Sequence, residues 1–139
     1  MRIMAVDYGD ARTGVAVSDP LGMIAGRAWT IPGRSGDKVA EQVAQAAKEA
    51  GAERIVVGYP KNMNDTVGER AEKSAAFAEK LRELTGLEVV LWDERRTTVD
   101  AQRILHANGR REKDHRKNID AVAATLILEG YLGFINGGL

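Results

Sequence analysis

The apolar residues of this chain first change their spacing near Ser35, and that change limits the possible fold more than any other feature. Before it, side chains alternate. Arg2–Asp7 is a short apolar run, and Thr13–Asp19 sets Val15 and Val17 around the small Ala16, so both read as strands. The connection Tyr8–Arg12 contains Gly9 and is short enough for a hairpin, and Ile24–Ile31 suits a third strand. After Ser35 the period becomes helical. Ser35–Ala50 spaces Val39, Val43, Ala46 and Ala47 for one buried face, with Gly51 as a stop signal. Arg54–Tyr59 is a β-branched strand closed by Pro60, and Glu88–Trp92 is a fifth strand. Between them, Thr66 and Glu69 form a capping-box pattern before Val67, Ala71, Ala75, Ala78 and Leu81, and Gly86 ends the helix. Thr97 and Asp100 repeat the pattern and predict a helix through Ile104 and Leu105. Gly109–Lys117 reads as a polar loop. Asn118 reads as the cap of a last helix that is apolar almost all round and is therefore expected to be buried on most sides.

Strands linked by hairpins run antiparallel, and strands linked through helices run parallel with right-handed crossovers. The expected architecture is α/β: a five-stranded mixed sheet, with a three-strand antiparallel meander plus two parallel strands, flanked by helices. A chain of 139 residues fits a single domain, 1–139. It contains no cysteine, which excludes disulfides and thiolate metal sites and suits a reducing cytoplasm. Asp7 interrupts the first apolar run, so the start does not read as a signal peptide. No apolar run approaches the ~20 residues of a membrane helix, and no membrane partner is expected. Lysine plus arginine and aspartate plus glutamate each total 20, so a nucleic-acid partner requires a local basic patch.

Three acids fall at predicted element ends. Asp7 closes strand one, Glu94 follows strand five in "LWDERRTT", and Asp120 lies in the first turn of the last helix. Ligands of open α/β sheets gather at the carboxyl ends of strands. Three carboxylates sharing one place raise each other's pKa, and a hard divalent cation, Mg2+ or Mn2+, relieves this. A pair of such ions supports phosphodiester hydrolysis. Each acid also has an ordinary reading: Asp7 as a turn residue bonding the backbone at Gly9, Asp120 as a partner of the helix dipole, Glu94 as a surface partner of Arg95 or Arg96. Taken singly, Glu94 and Asp120 favour that reading; the joint placement favours a site. Alternation puts Asp93 and Glu94 on opposite faces, so one of the two is the candidate ligand.

Arg12 suits either a substrate phosphate or a hairpin salt bridge. Asn62, in "GYPKNMND", suits a substrate contact. From Arg95 to Lys117 there are eight lysines or arginines against three acids, leaving aside Glu94 and Asp120. Arg95, Arg110, Arg111, Arg116 and Lys117 are the candidates there for phosphate contacts. His106 and His115 lack paired ligand spacing, and Trp29 and Trp92 are expected in the core.

Together, "DYGDARTGVAVSD", "GYPKNMN", "DERRTT" and "IDAVAATLIL" resemble the four characteristic stretches of the YqgF family, also called RuvX, of Holliday junction resolvases or pre-16S rRNA nucleases. The match spans essentially the whole chain. The resemblance implies a ribonuclease H-like fold and a metal-dependent nuclease whose acids are Asp7, Glu94 and Asp120. It also implies trimming of the 5′ end of precursor 16S ribosomal RNA in bacteria; the expected protein is cytoplasmic and a monomer or weak homodimer. Arg96 and Asp65 depart from the family's usual apolar residue and glycine, which affects only the shape of the substrate groove. Alternative readings are a dimeric resolvase of branched DNA and a non-catalytic nucleic-acid-binding accessory factor in transcription or ribosome assembly. An ATPase of the sugar-kinase and actin type shares the acid-glycine hairpin but requires two such domains.

Overall fold

The computed structural model of the chain describes residues 1–60, 68–94 and 112–137, with 112–120 described by backbone alone. Its elements are β1 (Ile3–Asp7), β2 (Arg12–Ser18), β3 (Ala25–Pro32), α1 (Gly36–Ala50), β4 (Arg54–Tyr59), α2 (Glu69–Thr85), β5 (Glu88–Asp93) and α3 (Glu112–Ile135). The strands form one sheet in the order β3-β2-β1-β4-β5. β1–β2 and β2–β3 are antiparallel; β1–β4 and β4–β5 are parallel. This is the mixed sheet expected from the change of period.

Alternation along the strands divides the core. Met4, Val6, Val15, Val17, Ile55, Val57 and Val89 face α1 and α2, where Val39, Val43, Phe77 and Leu81 meet them. Ile3, Ala5, Ala16, Val56 and Trp92 face α3, where Ala124, Ile127, Leu128, Tyr131 and Leu132 meet them. A slip of one residue in any central strand would exchange the two sets, so burial on both faces holds the register. Ser35 caps α1 by accepting from the Lys38 N–H at 3.4 Å, and Gly51 ends it in the left-handed region.

The second helix starts later than its capping-box pattern predicts. Its N-cap is Gly68, with extended backbone and no side-chain cap; Thr66 and Val67 lie outside the described residues. Its buried face includes Ser74 and Phe77 beside Ala71, Ala78 and Leu81. The third helix starts earlier than predicted. It runs from Glu112, so the stretch expected as the end of a polar loop is helical and Asn118 is not a cap. The reason is local: Glu112 to Lys117 contains neither glycine nor proline, and Glu112 and Arg116 stand at the i, i+4 spacing that favours helices. The helix is also less enclosed than its apolar sequence suggests. One stripe is buried against the sheet, while Val122, Ala123 and Leu126 are half-buried. The helix expected from Thr97 through Leu105 lies outside the described residues. No helix among the described residues is long and apolar enough to cross a membrane.

Candidate active site

Register brings the ends of three strands together. Val6 of β1 pairs with Val57 of β4, so Asp7 comes level with Gly58, which itself pairs with Trp92 of β5. Asp7 continues the row of Ile3 and Ala5, Gly58 that of Val56, and Glu94 that of Trp92, all toward α3. Asp93, paired with Tyr59, belongs to the opposite row. Thus Glu94 shares a face with Asp7, and Asp93 does not.

β4 separates β1 from β5, which puts their backbones about 10 Å apart, two strand spacings. The Glu94 side chain narrows that gap by lying over Gly58. A Cβ at position 58 would stand 3.2 Å from Glu94 Cδ, 3.3 Å from its Oε2 and 2.6 Å from Ile127 Cδ1. Only glycine leaves that space. At the neighbouring hairpin a Cβ on Gly9 would stand 2.3 Å from the Arg12 carbonyl oxygen, so the turn that follows Asp7 also depends on a missing side chain.

α3 runs back along the sheet from these strand ends. Ile127 lies at Gly58 and Gly130 at Trp92, while the Tyr131 hydroxyl accepts from Arg54 Nη1 at 3.0 Å, at the start of β4. Asn136 Nδ2 donates to the Gly22 carbonyl at 2.9 Å, beyond the start of β1. Position 120 is two helical turns before Ile127, about 10 Å further toward the carboxyl ends of β1, β4 and β5. The helical repeat aligns it with Ala124 and Ile127. The Asp120 side chain lies outside the described residues, and among the described residues no three acids or histidines form a metal-binding group.

Burial is the largest influence on Glu94 and raises its carboxyl above the ordinary carboxylate range; Arg70 pulls it down and Asp93 pushes it up. Oxygen donors of this kind, opening on the space over Gly58, fit a hard divalent ion rather than a soft one. Arg12 is exposed at the first position of β2, paired with Pro32. Asn62, Arg95, Arg110 and Arg111 lie outside the described residues. Arg116 and Lys117 fall within α3, not in a loop, and their side chains lie outside the described residues. Trp92 is 5% exposed and meets the Tyr131 ring edge-on at 5.7 Å, in the core as expected. Trp29 is half-buried beneath Arg27, whose Cζ is 4.7 Å from its ring.

Two features were not anticipated from the sequence. Tyr8, next to Asp7, stacks on Phe77 at 4.2 Å between ring centroids, which fixes the start of the hairpin against α2. Arg70 and Lys73, near the start of α2, line a cleft of about 110 Å³ with Tyr8, Gly9 and Asp10. Their i, i+3 spacing was the available signal, and it is common on solvated helices.

The profile of the RuvX family, described as Holliday junction resolvase, matches residues 1–133. A protein of Geobacillus kaustophilus named "Putative pre-16S rRNA nuclease" is 48% identical over 134 residues, covering 95% of this chain and 97% of that one. One of the same name from Acetivibrio thermocellus is 42% identical over 134 residues, covering 95% of each. RuvC of T. thermophilus, solved in complex with a Holliday junction substrate, superposes with a TM-score of 0.65 at 10% identity, covering 99% of this chain and 96% of that one. That likeness concerns the fold. Family profile and relatives agree over nearly the full length: the chain belongs to the RuvX family.

Proposed function

We propose that the protein is a metal-dependent endonuclease that matures the 5′ end of precursor 16S ribosomal RNA in the cytoplasm, as a monomer or weak homodimer. The observation that carries this reading is the Glu94 carboxylate over Gly58, on the face and at the strand ends shared with Asp7. A half-buried acid held in a space made by a missing side chain is costly to the fold and suits a cation. Relatives 42% and 48% identical carry the name of a pre-16S rRNA nuclease, which favours RNA over a four-way DNA junction.

Asp7, Glu94 and Asp120 would hold Mg2+ or Mn2+. A bound pair of such ions activates a water and stabilises the leaving oxygen of a phosphodiester. The chain's own residues do the rest. The β1–β2 hairpin, stacked through Tyr8 on Phe77, holds Asp7 in place. The buried row under Glu94 keeps bulk water from one side of the acids, which strengthens their hold on positive charge. Arg12, Asn62, Arg95, Arg110, Arg111, Arg116 and Lys117 contact the substrate strand, the cations binding its phosphates.

The test is cleavage of a precursor 16S RNA fragment and of a four-way DNA junction, with Mg2+, Mn2+ or EDTA. Wild type should cut the RNA only with a divalent ion. Asp7→Asn should lower the rate at least about a hundredfold, with its circular dichroism unchanged. Undiminished cutting in Asp7→Asn or in EDTA would overturn the proposal, and a preference for the junction would replace RNA by branched DNA.

A further inference from the structure

We infer that Arg70, on the first turn of α2, grips a backbone phosphate of the substrate strand next to the acids, and that the cleft between α2 and the β1–β2 hairpin is the place where that strand enters. This rests on the nuclease reading above.

Three observations support it. The cleft adjoins the proposed acids: Tyr8, Gly9 and Asp10 line it, and they follow Asp7 directly in the chain. The two cations of its α2 wall are differently engaged. Lys73 Nζ lies 3.4 Å from Asp10 Oδ1 and 3.4 Å from Glu69 Oε1, so two acids already share its charge. Arg70 is exposed and, among the described residues, makes no salt bridge or hydrogen bond. Tyr8, next to Asp7, stacks on Phe77 of α2 at 4.2 Å between ring centroids, so the hairpin and the helix that carries Arg70 are held together.

The chemistry favours phosphate over other ligands. Guanidinium presents a planar fork of donors that matches two phosphate oxygens. A nucleic-acid strand crossing the acids brings a row of phosphates, of which the one being cut belongs to the metal. A flanking phosphate needs its own counter-charge, and Arg70 supplies it from outside the ligand set. Lys73, tied to Asp10, braces the hairpin against α2 and keeps the cleft open.

The experiment measures binding apart from cutting. A fluorescein-labelled precursor 16S RNA fragment is titrated with Asp7→Asn protein in EDTA over a range of salt concentrations. Arg70→Ala, added to that background, should weaken binding several-fold and flatten the slope of log affinity against log salt by about 0.7 to 0.9, the loss of one phosphate contact. Arg70→Lys should restore the slope with only part of the affinity. Lys48→Ala removes the same charge from the last turn of α1 and should change neither. In protein with Asp7 intact, Arg70→Ala should raise KM with kcat nearly unchanged. If Arg70→Ala matches Lys48→Ala in affinity and slope, the inference fails while the nuclease reading stands. If the Asp7→Asn parent binds no RNA, both fail together. Arg70 is exposed, so an unchanged melting temperature is the check on folding.

Discussion

The two ends of the central sheet handle charge in opposite ways. At the end where β1 and β4 begin, Arg2, Arg54 and Asp19 each have close partners. Arg54 donates to Tyr131 Oη at 3.0 Å and to Glu88 Oε2 at 3.2 Å. Arg2 Nη1 donates to the Ala50 carbonyl at 2.8 Å, and the Arg2 N–H to Glu53 Oε2 at 3.1 Å. Asp19 accepts from the N–H groups of Ile24, Met23 and Leu21 at 2.9, 2.7 and 3.2 Å. The Ile24 bond leads the effects that hold its carboxyl below the ordinary range. At the end where β1, β4 and β5 finish, Glu94 is held mainly by burial, and its carboxyl is raised. The contrast separates acids that hold the fold together from one that the fold carries at a cost. A cost of that kind suits the metal-binding role proposed for Glu94.

Substitutions at each end sharpen this comparison, ordered here by their effect on stability. Gly58→Ala forces a methyl group to 2.6 Å from Ile127 and against the Glu94 carboxyl. It should cost about 1–3 kcal/mol and most of the cleavage activity, read by urea unfolding and RNA cutting. Gly133→Ala, in α3 with nothing within 4 Å of the new atom, should instead stabilise by about 0.5–1 kcal/mol and leave cutting intact. Equal outcomes for the two would remove the argument for the space over Gly58. Arg54→Met leaves the buried Tyr131 hydroxyl without its donor and should cost about 1–2 kcal/mol, with cleavage at wild-type level under conditions where the protein is folded. An activity loss there beyond the loss of folded protein would break the division between the two ends.

The smallest effect carries the clearest sign. A carboxyl raised in the folded state binds its proton more tightly there than in the unfolded chain. Glu94 therefore lowers stability as pH rises from the ordinary carboxylate range through its raised folded value, and the deficit is fully present above it. Glu94→Gln should raise the melting temperature of metal-free protein slightly at pH 7 and lose that advantage near pH 4, while abolishing cleavage. Asp19→Asn should do the reverse to stability, lowering it at pH 7 and converging with wild type as acid protonates Asp19. A Glu94→Gln protein less stable than wild type at pH 7 would mean that the carboxylate has a stabilising partner after all.

Strands and the first helix were legible because apolar spacing, β-branched runs and Gly51 agree over short distances. Sequence spacing also limited the choice at Asp93 and Glu94 to one per face. It did not say which face mattered, because that depends on pairing between β4 and β5, set by burial in distant parts of the chain. Helix starts were less legible. Thr66 and Glu69 fit a capping box in spacing, yet Gly68 precedes the first helical residue. Charge density made Glu112–Lys117 look like a loop, although the same residue types propagate helices well. Gly58 and Arg70 were opaque for a different reason. Their meaning lies in the side chain that lies over one and the hairpin that faces the other, and neither neighbour is near in sequence.

The bond from Asn136 to Gly22 joins positions 114 apart in the chain and fastens the far end of α3 below the sheet. From there the helix projects about 24 Å back to position 120, at ~1.5 Å per residue. Between those points Ala124, Ile127, Leu128, Tyr131 and Leu132 seat it on the sheet, so the bond pins the end of an element already bedded along its length. Under the proposed reading, how far position 120 reaches toward the ends of β1 and β5 is set jointly by that bedding and by the anchor at Asn136.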